Sequence, residues 1–319
     1  MARSMRAVVA ANFGGPQVME VQRISVPTPG KGEVLVAIQA AGTNPVDASN
    51  RSDGTWAGLS PPIVPGSDAS GVIEATGEDV LDLASGDEVF YMSDFMGNPM
   101  GTYAEYQVVD AAIVTRKPER LSHVEAAAVP LAAGTAYEVV IRRLDVQKGE
   151  WVLLHGAAGG VGAFALQMAI ARGARVIASA SLPRHSKLME MGASVCLDYR
   201  TQDVPSAARD AAGAELDAVA DFVGGDLISR SLAAIRPNGR AASIASVEGD
   251  LELLMDRNIT LHGVLVRPDR VRLEKLREML DAGTLHVLID EVLPLEEAAR
   301  VHLRLEAGHG QGKVVLRLR

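Results

Sequence analysis

A run of small and apolar residues near the middle of the chain has the residue types and spacing to bind a phosphate group. Residues 151–162 have the sequence WVLLHGAAGGVG, an apolar segment that leads into glycines and then into an alanine-rich stretch. Glycines let the backbone turn tightly and approach a pyrophosphate, whose charge is met by amides at a helix N-terminus. The strict dinucleotide-binding pattern has a glycine at the position of Ala157. The alternative explanation is that these glycines merely end a strand. The run therefore predicts a dinucleotide-binding loop.

The next strand-like segment, residues 175–181, bears on which dinucleotide fits the loop. An acidic residue at its end, about 20 residues after the glycines, would bind a ribose 2′-hydroxyl. The chain instead has Ser179, followed by Arg184 and Lys187. A hydroxyl and two cations suit a 2′-phosphate, and cations at a helix start oppose the helix dipole. We therefore expect this segment to favour NADPH over NADH. The alternative is that Arg184 and Lys187 only belong to an ordinary solvated helix start.

Two kinds of element surround these residues. After residue 150 strands and helices alternate, which predicts a doubly wound parallel sheet. Its expected strands are 151–155, 175–180, 194–197, 217–222 and 241–245, with helices from residues 160, 184 and 227. The earlier part predicts antiparallel strands at 6–11, 18–26, 33–40, 88–92 and 103–109. Ser122 and Glu125 form a capping-box pattern that predicts a helix start. A last helix is expected over 271–282, before short strands that end at 313–318.

Composition narrows the class of function. The chain has 319 residues, enough for two domains, and 48% hydrophobic and 22% charged residues, as in globular proteins. Its net charge of −9 argues against nucleic acid and anionic membranes as partners. Cys196 is the one cysteine, which excludes an intrachain disulfide and suits a reducing compartment. The short apolar run after Arg6 does not predict an export signal, so we expect a cytoplasmic protein without a membrane span.

Several further motifs in order along the chain carry a family resemblance. They are AAGTNPVD at 40–47, VPGSDASGVI at 64–73, GDEVF at 86–90, GTYAEY at 101–106, PLAAGTAY at 130–137 and GKVVL at 312–316. Together with the glycine loop they resemble the medium-chain dehydrogenase/reductase superfamily over essentially the whole chain, closest to its zinc-independent quinone oxidoreductase and enoyl reductase branch.

The resemblance implies an α/β protein with a GroES-like β-rich catalytic domain and a Rossmann domain with a doubly wound parallel sheet. The expected boundaries are 1–122 for the GroES-like catalytic domain, 123–262 for the NADP-binding Rossmann domain, and 263–319 for a C-terminal segment that returns to the catalytic domain. The resemblance also implies a homodimer.

The zinc-bearing members of the superfamily hold their catalytic metal with residues that this chain lacks. A cysteine of those members corresponds to Asn44, a histidine corresponds to Ser67, and a second cysteine lies near Leu131 or Ala132. The four-cysteine structural zinc lobe is missing too, and the seven histidines are scattered. We therefore expect no metal and no Lewis-acid catalysis.

The resemblance also implies a set of cofactor contacts. These residues are Asn44, Thr135, Ala158, Gly159, Gly160, Val161, Ser179, Arg184, Lys187, Tyr199, Gly224, Ala245, Val266 and Lys313. For each of them a purely structural role is the alternative: Gly224 could simply close a turn, and Tyr199 could only pack.

Without a metal, the expected reaction is hydride transfer from NADPH to a quinone or an α,β-unsaturated carbonyl. Asn44 is the candidate catalytic residue, as a hydrogen-bonding group that orients the nicotinamide or the acceptor. Several relatives carry a tyrosine where this chain has Ser49 and Asn50, which leaves the proton donor unassigned and water as a source. The alternatives are a non-catalytic NADPH-binding protein, crystallin-like or regulatory, and a zinc-free enzyme resembling alcohol dehydrogenases.

Overall fold

The computed structural model describes residues 3–308 and 310–319. Its strands, in chain order, are β1 (Ser4–Ala10), β2 (Met19–Ser25), β3 (Glu33–Gly42), β4 (Asp68–Thr76), β5 (Glu88–Met92), β6 (Tyr106–Asp110), β7 (Val114–Arg116), β8 (Trp151–His155), β9 (Arg175–Ser179), β10 (Val195–Leu197), β11 (Leu216–Asp221), β12 (Ile235–Ser243), β13 (Thr260–Gly263), β14 (Ile289–Pro294) and β15 (Lys313–Arg317). Its α-helices are α1 (Pro45–Asp53), α2 (His123–Ala127), α3 (Pro130–Tyr137), α4 (Gly160–Ala171), α5 (His185–Glu190), α6 (Val204–Ala212), α7 (Leu227–Ser231), α8 (Leu253–Asp256), α9 (Arg270–Asp281) and α10 (Ala298–Glu306). No helix among these described residues is long and apolar enough to span a bilayer.

The chain divides into two compact units. The first comprises Met1–Leu131, Arg267–Gly283 and Ile289–Arg319, and the second comprises Ala132–Val266 and Thr284–Leu288. The first is rich in antiparallel strands and the second contains a parallel sheet. This mixed α/β architecture confirms the expected fold class.

The first unit contains two sheets. β1 and β2 form an antiparallel pair, in agreement with the antiparallel strands expected at 6–11 and 18–26. A larger sheet has the order β14-β15-β3-β4-β5-β7, with β6 also paired to β3. β3 is buried along nearly its whole length because it lies inside this sheet. The ends of β3, β4 and β15 meet, since Gly42 pairs with both Asp68 and Val315.

The second unit contains a six-stranded sheet in the order β10-β9-β8-β11-β12-β13, with every neighbouring pair parallel. Its central strands β8 and β11 are buried along almost their whole length, as in sheets covered on both faces. The strand order reverses between β8 and β11, which are neighbours at the centre of the sheet. Ligands of such sheets bind at the carboxyl ends of the strands next to this reversal.

Helix α9 is not the last helix, so that expectation is wrong. α10 follows it, and its buried positions are Ala298, Val301 and His302. This i, i+3, i+4 spacing is helical, but a histidine holds one of the three buried positions and hides the apolar stripe in the sequence. The capping box predicted at Ser122 and Glu125 is confirmed, since the Glu125 amide donates to Ser122 Oγ at 3.3 Å.

Candidate active site

The glycine loop at the end of β8 has the geometry of a phosphate cradle. Gly156 has φ +72°, in the left-handed region. A Cβ on Gly162 would lie 2.7 Å from Ala157 Cα, so only glycine lets α4 pack this closely on the loop. Gly159 caps α4 without a side-chain hydrogen bond. The first amides of α4 thus have neither a helical nor a capping-side-chain partner, and the loop fits a pyrophosphate.

The loops after the neighbouring strands meet the glycine loop. A Cβ on Gly156 would contact Val223, which follows β11, at 2.8 Å. Asp221 ends β11, and its carboxylate accepts hydrogen bonds from the amides of Val223 at 2.8 Å and Gly224 at 3.0 Å. Gly224 in turn lies against Ala245 beyond β12, where an added Cβ would be 2.8 Å from the Ala245 Cβ. Gly224 and Ala245 therefore lie together beside the switch point of the sheet.

The residues expected to select the cofactor begin at the end of β9. Ser179 is buried, and its carbonyl oxygen accepts a hydrogen bond from the amide of Ala157 at 3.2 Å, which ties it to the glycine loop. Arg184 ends a 3₁₀ turn that follows. Lys187 lies on α5 with its Nζ 3.3 Å from Glu190 Oε2, so that ammonium already has an acidic neighbour.

The remaining expected contacts in the second unit differ in exposure. Thr135 on α3 and Val266 beyond β13 are buried, at 4% and 6% exposed, whereas Ala158 lies in the glycine loop and Val161 is the second residue of α4. Tyr199 is 54% exposed beyond β10. The other two residues of the expected set, Asn44 and Lys313, belong to the first unit, and they lie together there.

Asn44 and Lys313 are part of a buried polar cluster in the first unit. Asn44 precedes α1, and its backbone amide donates to Asp47 Oδ2 at 2.9 Å. Tyr103 OH donates to the same oxygen at 3.1 Å, and the Ser67 hydroxyl donates to the other oxygen. Asp47 thus accepts three hydrogen bonds, a pattern that suits an ionised carboxylate.

A second carboxylate faces the side chain of Asn44. Asn44 Nδ2 donates to Asp68 Oδ2 at 3.0 Å, and the amide of Leu131 donates to Asp68 Oδ1 at 2.8 Å. Lys313 Nζ donates to the carbonyl oxygen of Thr43 at 2.8 Å and to Asn44 Oδ1, and it lies 3.8 Å from Asp68 Oδ2. The ends of β3, β4 and β15 therefore deliver these groups to one place.

Burial dominates the electrostatics of this cluster. It raises the pKa of Asp47 to about 6 and that of Asp68 to about 7, although Lys313 and the hydrogen bonds act in the opposite direction. Burial also lowers the pKa of Lys313, while the two carboxylates oppose that change. Burial raises the pKa of the Tyr103 phenol well above its usual range. Two carboxylates share one ammonium, so a proton is readily taken up by Asp68 near neutral pH.

The sequence motifs contained Asp47, Asp68 and Tyr103, but no role was assigned to them. For Asp68 the available signal was a charged residue at the start of β4, which continues with small and apolar residues as far as Ile73, because buried carboxylates require partners. Ser67 was considered only as a replaced metal position, whereas its hydroxyl supports Asp47.

The donor set of the cluster is poor for zinc. Position 44 supplies an amide and position 67 a hydroxyl, and an ammonium lies beside them. Within residues 3–308 and 310–319 no group of three or more histidine, cysteine, aspartate or glutamate side chains could hold a metal ion. The side chains at positions 44 and 67 are neither thiolate nor imidazole, the usual zinc ligands.

A parallel sheet with a glycine loop at its switch point, next in sequence to a β-rich unit with a buried polar cluster, defines a nicotinamide dinucleotide-binding oxidoreductase. Two family models match: the alcohol dehydrogenase GroES-like domain over residues 30–119 and the zinc-binding dehydrogenase domain over residues 191–316. The chain belongs to the medium-chain dehydrogenase/reductase superfamily, in its quinone oxidoreductase-like branch.

Individual relatives agree with this placement. The chain is 32% identical to the quinone oxidoreductase of Homo sapiens, across 98% of both chains. It is 29% identical to the NADPH-dependent alkenal/one oxidoreductase of Arabidopsis thaliana, across 98% of this chain and 80% of that protein.

Solved structures give the same result. The quinone oxidoreductase of Coxiella burnetii matches with a TM-score of 0.91 and 30% identity, over 99% of this chain and 100% of that one. An NAD-dependent alcohol dehydrogenase matches with a TM-score of 0.92 and 33% identity over the same shares. A mycobacterial protein in complex with NADPH matches with a TM-score of 0.88 and 29% identity, over 98% of this chain and 100% of that one.

Proposed function

We propose that this protein is an NADPH-dependent reductase that transfers hydride to a quinone or an α,β-unsaturated carbonyl without zinc. The observation that carries the proposal is the Asn44, Asp68 and Lys313 cluster, which offers an amide and an ammonium where a metal-dependent enzyme needs metal ligands. The names of the human and plant relatives, a quinone oxidoreductase and an alkenal/one oxidoreductase, support this class of acceptor.

The second unit supplies the proposed binding groups for the dinucleotide. The amides of Gly159, Gly160 and Val161 would bind the pyrophosphate at the start of α4. Gly224 and Ala245 line the adjacent loops, where small residues leave room for a ligand. Thr135 and Val266 complete the proposed set with Tyr199 on the exposed side. Ser179, Arg184 and Lys187 would bind the 2′-phosphate and so favour NADPH.

The chemistry needs little from the protein beyond orientation. NADPH supplies a hydride when it is bound. A quinone or enone accepts that hydride by conjugation and takes one proton from water, which gives a hydroquinone or a saturated carbonyl. Asn44 donates a hydrogen bond that orients the reacting groups, since an amide cannot act as an acid at neutral pH. Tyr103 is not the proton donor in this proposal because it is fully buried and donates to Asp47.

A zinc-free enzyme resembling alcohol dehydrogenases is the second candidate, favoured by the match to an NAD-dependent alcohol dehydrogenase. Oxidising an alcohol requires a group that stabilises the alkoxide as hydride leaves. The described cluster contains no lowered-pKa phenol, because burial raises the pKa of Tyr103. Its one lysine, Lys313, is already bonded to Thr43 and Asn44. This chemistry therefore ranks below reduction of a conjugated acceptor.

A panel of substrates tests the proposal. Purified protein is assayed with NADPH and either 9,10-phenanthrenequinone or 2-hexenal, and with NADP⁺ and simple primary and secondary alcohols. We expect rapid NADPH oxidation with at least one conjugated acceptor and negligible alcohol oxidation. We also expect Asn44→Ala to lower kcat more than it weakens NADPH binding. Robust alcohol oxidation with inert quinones and enals would refute the proposal in favour of the alcohol dehydrogenase candidate, and tight NADPH binding without any turnover would refute it in favour of a non-catalytic role.

A further inference from the structure

The side-chain amide of Asn44 lies between a cation and a carboxylate, and this fixes which way it faces. Lys313 Nζ donates to Asn44 Oδ1, and Asn44 Nδ2 donates to Asp68 Oδ2 at 3.0 Å. An ammonium can only donate hydrogen bonds and an ionised carboxylate can only accept them. Turning the amide over would set its NH₂ against the ammonium and its oxygen against the carboxylate. One of the two amide orientations is therefore excluded.

Neither end of this chain of bonds can move away to solvent. Lys313 Nζ is also bonded to the Thr43 carbonyl at 2.8 Å, and Asp68 Oδ1 is bonded to the amide of Leu131 at 2.8 Å. The residues Asn44, Asp68 and Lys313 are 2%, 0% and 4% exposed. A buried amide whose two partners are themselves anchored is held far more rigidly than one bonded to water or to a mobile side chain.

We propose that Lys313 and Asp68 are positioning residues that lock the orientation of the Asn44 amide, so that its second Nδ2 hydrogen is left for the hydrogen bond of the proposed function. Lys313 then acts through Asn44, which is a different role from the direct cofactor contact implied by the family resemblance. The role in catalysis rests on the proposed function, whereas the lock itself is a property of the protein alone.

The lock requires Asp68 to be ionised. Because Oδ1 of Asp68 accepts from the Leu131 amide, an added proton goes to Oδ2, where it opposes the NH₂ of Asn44. The amide cannot turn to accept that proton, since Lys313 holds its oxygen. Protonation of Asp68 therefore breaks the Asn44–Asp68 bond and loosens the amide.

The ionisable groups that act on Asp68 come from three parts of the first unit. Lys313 on β15 and Asp47 on α1 face it with opposite charges. The negative charge of Asp68 also contributes to the raised pKa of Tyr103. Burial raises the pKa of Asp68 to about 7, with Asp47 adding to the rise and Lys313 and the Asn44 hydrogen bond opposing it. The lock is consequently formed above about pH 7 and lost as the pH falls below it.

Nuclear magnetic resonance on cofactor-free protein tests the lock directly. The side-chain NH₂ of Asn44, assigned by its loss in Asn44→Asp, is followed between pH 5.5 and 8.5. We expect its chemical shifts to titrate with a midpoint near the pKa of Asp68, about 7, and to stay constant in Asp68→Asn. Asn44 NH₂ protons that exchange with solvent at pH 8.5 as fast as those of an exposed asparagine would overturn the proposal, whatever substrate the enzyme uses and whether or not the variant folds.

A double-mutant cycle tests the role in turnover. In Asp68→Asn the new side-chain NH₂ faces one of two donors, Asn44 Nδ2 or the amide of Leu131, and in Lys313→Met the ammonium that holds Asn44 Oδ1 is lost. Each variant should therefore lower kcat about tenfold or more, with a smaller change in the KM for NADPH. Because both residues act through Asn44, the kcat of the double variant should lie within about twofold of the kcat of the slower single variant.

The controls are Asp87→Asn and Lys31→Met, which make the same changes at surface ion pairs with Arg116 and Asp79. They should keep the native rate and its decline below about pH 7, and Asp68→Asn should lose that decline. Effects of Asp68→Asn and Lys313→Met that multiply fully, or an unchanged acid limb in Asp68→Asn, would contradict the positioning role. If the Asn44 NH₂ chemical shifts change with pH as expected but the protein reduces no quinone or enone, the lock is supported and the proposed function is refuted.

Discussion

At the scale of single residues, the protein concentrates its unusual side chains in buried positions. Asn44 forms hydrogen bonds with both Asp68 and Lys313. His302 on α10 is also fully buried, but neither of its ring nitrogens is hydrogen-bonded to any residue in the described part of the chain. Ser179 stands at the end of β9 where NAD-binding sheets of this type carry an acid. These positions determine the residue-level predictions, one for cofactor choice and one for stability.

Arg184→Ala should weaken NADPH binding and leave NADH binding nearly unchanged. Loss of one charge-assisted contact to a 2′-phosphate costs about 1.5–3 kcal/mol, or roughly ten- to a hundred-fold in Kd. Isothermal titration with both dinucleotides measures the effect, and Arg209→Ala, an exposed arginine on α6, is the matched control. Equal affinity of the native protein for NADPH and NADH would show that this loop does not select the cofactor.

His302→Leu should stabilise the protein, by about 1–3 kcal/mol at pH 7.5, because it removes a buried imidazole whose ring nitrogens have no hydrogen-bond partner among the described residues. Burial, and then the charge of Arg51, lowers the pKa of His302 from 6.5 to about 3. The unfolded chain therefore takes up a proton below pH 6.5 that the folded chain refuses, so native stability falls as the pH drops towards 3. The advantage of the variant should grow by about 2 kcal/mol between pH 7.5 and pH 5.

Urea unfolding at the two pH values measures this effect, with His286→Leu at an exposed position as the control. A His302→Leu protein that is less stable than the native protein, or whose advantage does not change with pH, would show that the imidazole makes a bond that stabilises the fold.

At the scale of elements, much of the second unit could be predicted because its signals are local. The apolar run at 151–155 and the glycines before α4 fixed β8 and the start of that helix to the residue. α6 was missed although its signals were present: Asp203 at the N-cap and Gly213 with φ +64° at its end. The cluster around Asn44 could not be predicted in the same way, because Lys313 lies 269 residues away and only the fold brings it near.

Gly162→Ala should damage the glycine loop even though alanine is the better helix former. The new Cβ would lie 2.7 Å from Ala157 Cα and 2.8 Å from its carbonyl carbon, which are backbone atoms that cannot move aside cheaply. We expect a loss of about 1–3 kcal/mol in the free energy of unfolding and a dinucleotide Kd raised about tenfold or more.

Gly263→Ala on β13 is the matched control, because an added Cβ there has no atom within 4 Å, and it should change stability by no more than about 0.5 kcal/mol. Thermal unfolding and dinucleotide titration compare the two variants. Unchanged dinucleotide affinity in a folded Gly162→Ala protein would mean that the loop tolerates a side chain.

At the scale of the whole molecule, a β-rich unit and a parallel-sheet unit divide the chemistry. The first holds the polar cluster and the second holds the glycine loop. The chain builds the first unit from three separate stretches of sequence, so local patterns predicted its strands but not which of them share a sheet. The long-range order was anticipated only through the family resemblance, which the motifs carried from residue 40 to residue 316.

The family resemblance also leads us to predict a homodimer. Sedimentation equilibrium should then give twice the chain mass of 33.6 kDa at micromolar concentration. Among the described residues, β13 is an edge strand of the sheet in the second unit, and edge strands offer backbone groups to a second chain. A concentration-independent mass equal to one chain would contradict the prediction.

The central claim is hydride transfer from NADPH to a conjugated acceptor without zinc, and one assay tests it most directly. Purified protein is analysed for zinc, part of it is then dialysed against a chelator, and both samples are mixed with NADPH and 9,10-phenanthrenequinone while NADPH absorbance is followed. The amide, hydroxyl and ammonium at positions 44, 67 and 313 lead us to expect far less than one zinc per chain and a rate that added Zn²⁺ does not raise. Stoichiometric zinc whose removal abolishes NADPH oxidation, with activity restored by Zn²⁺, would contradict the account.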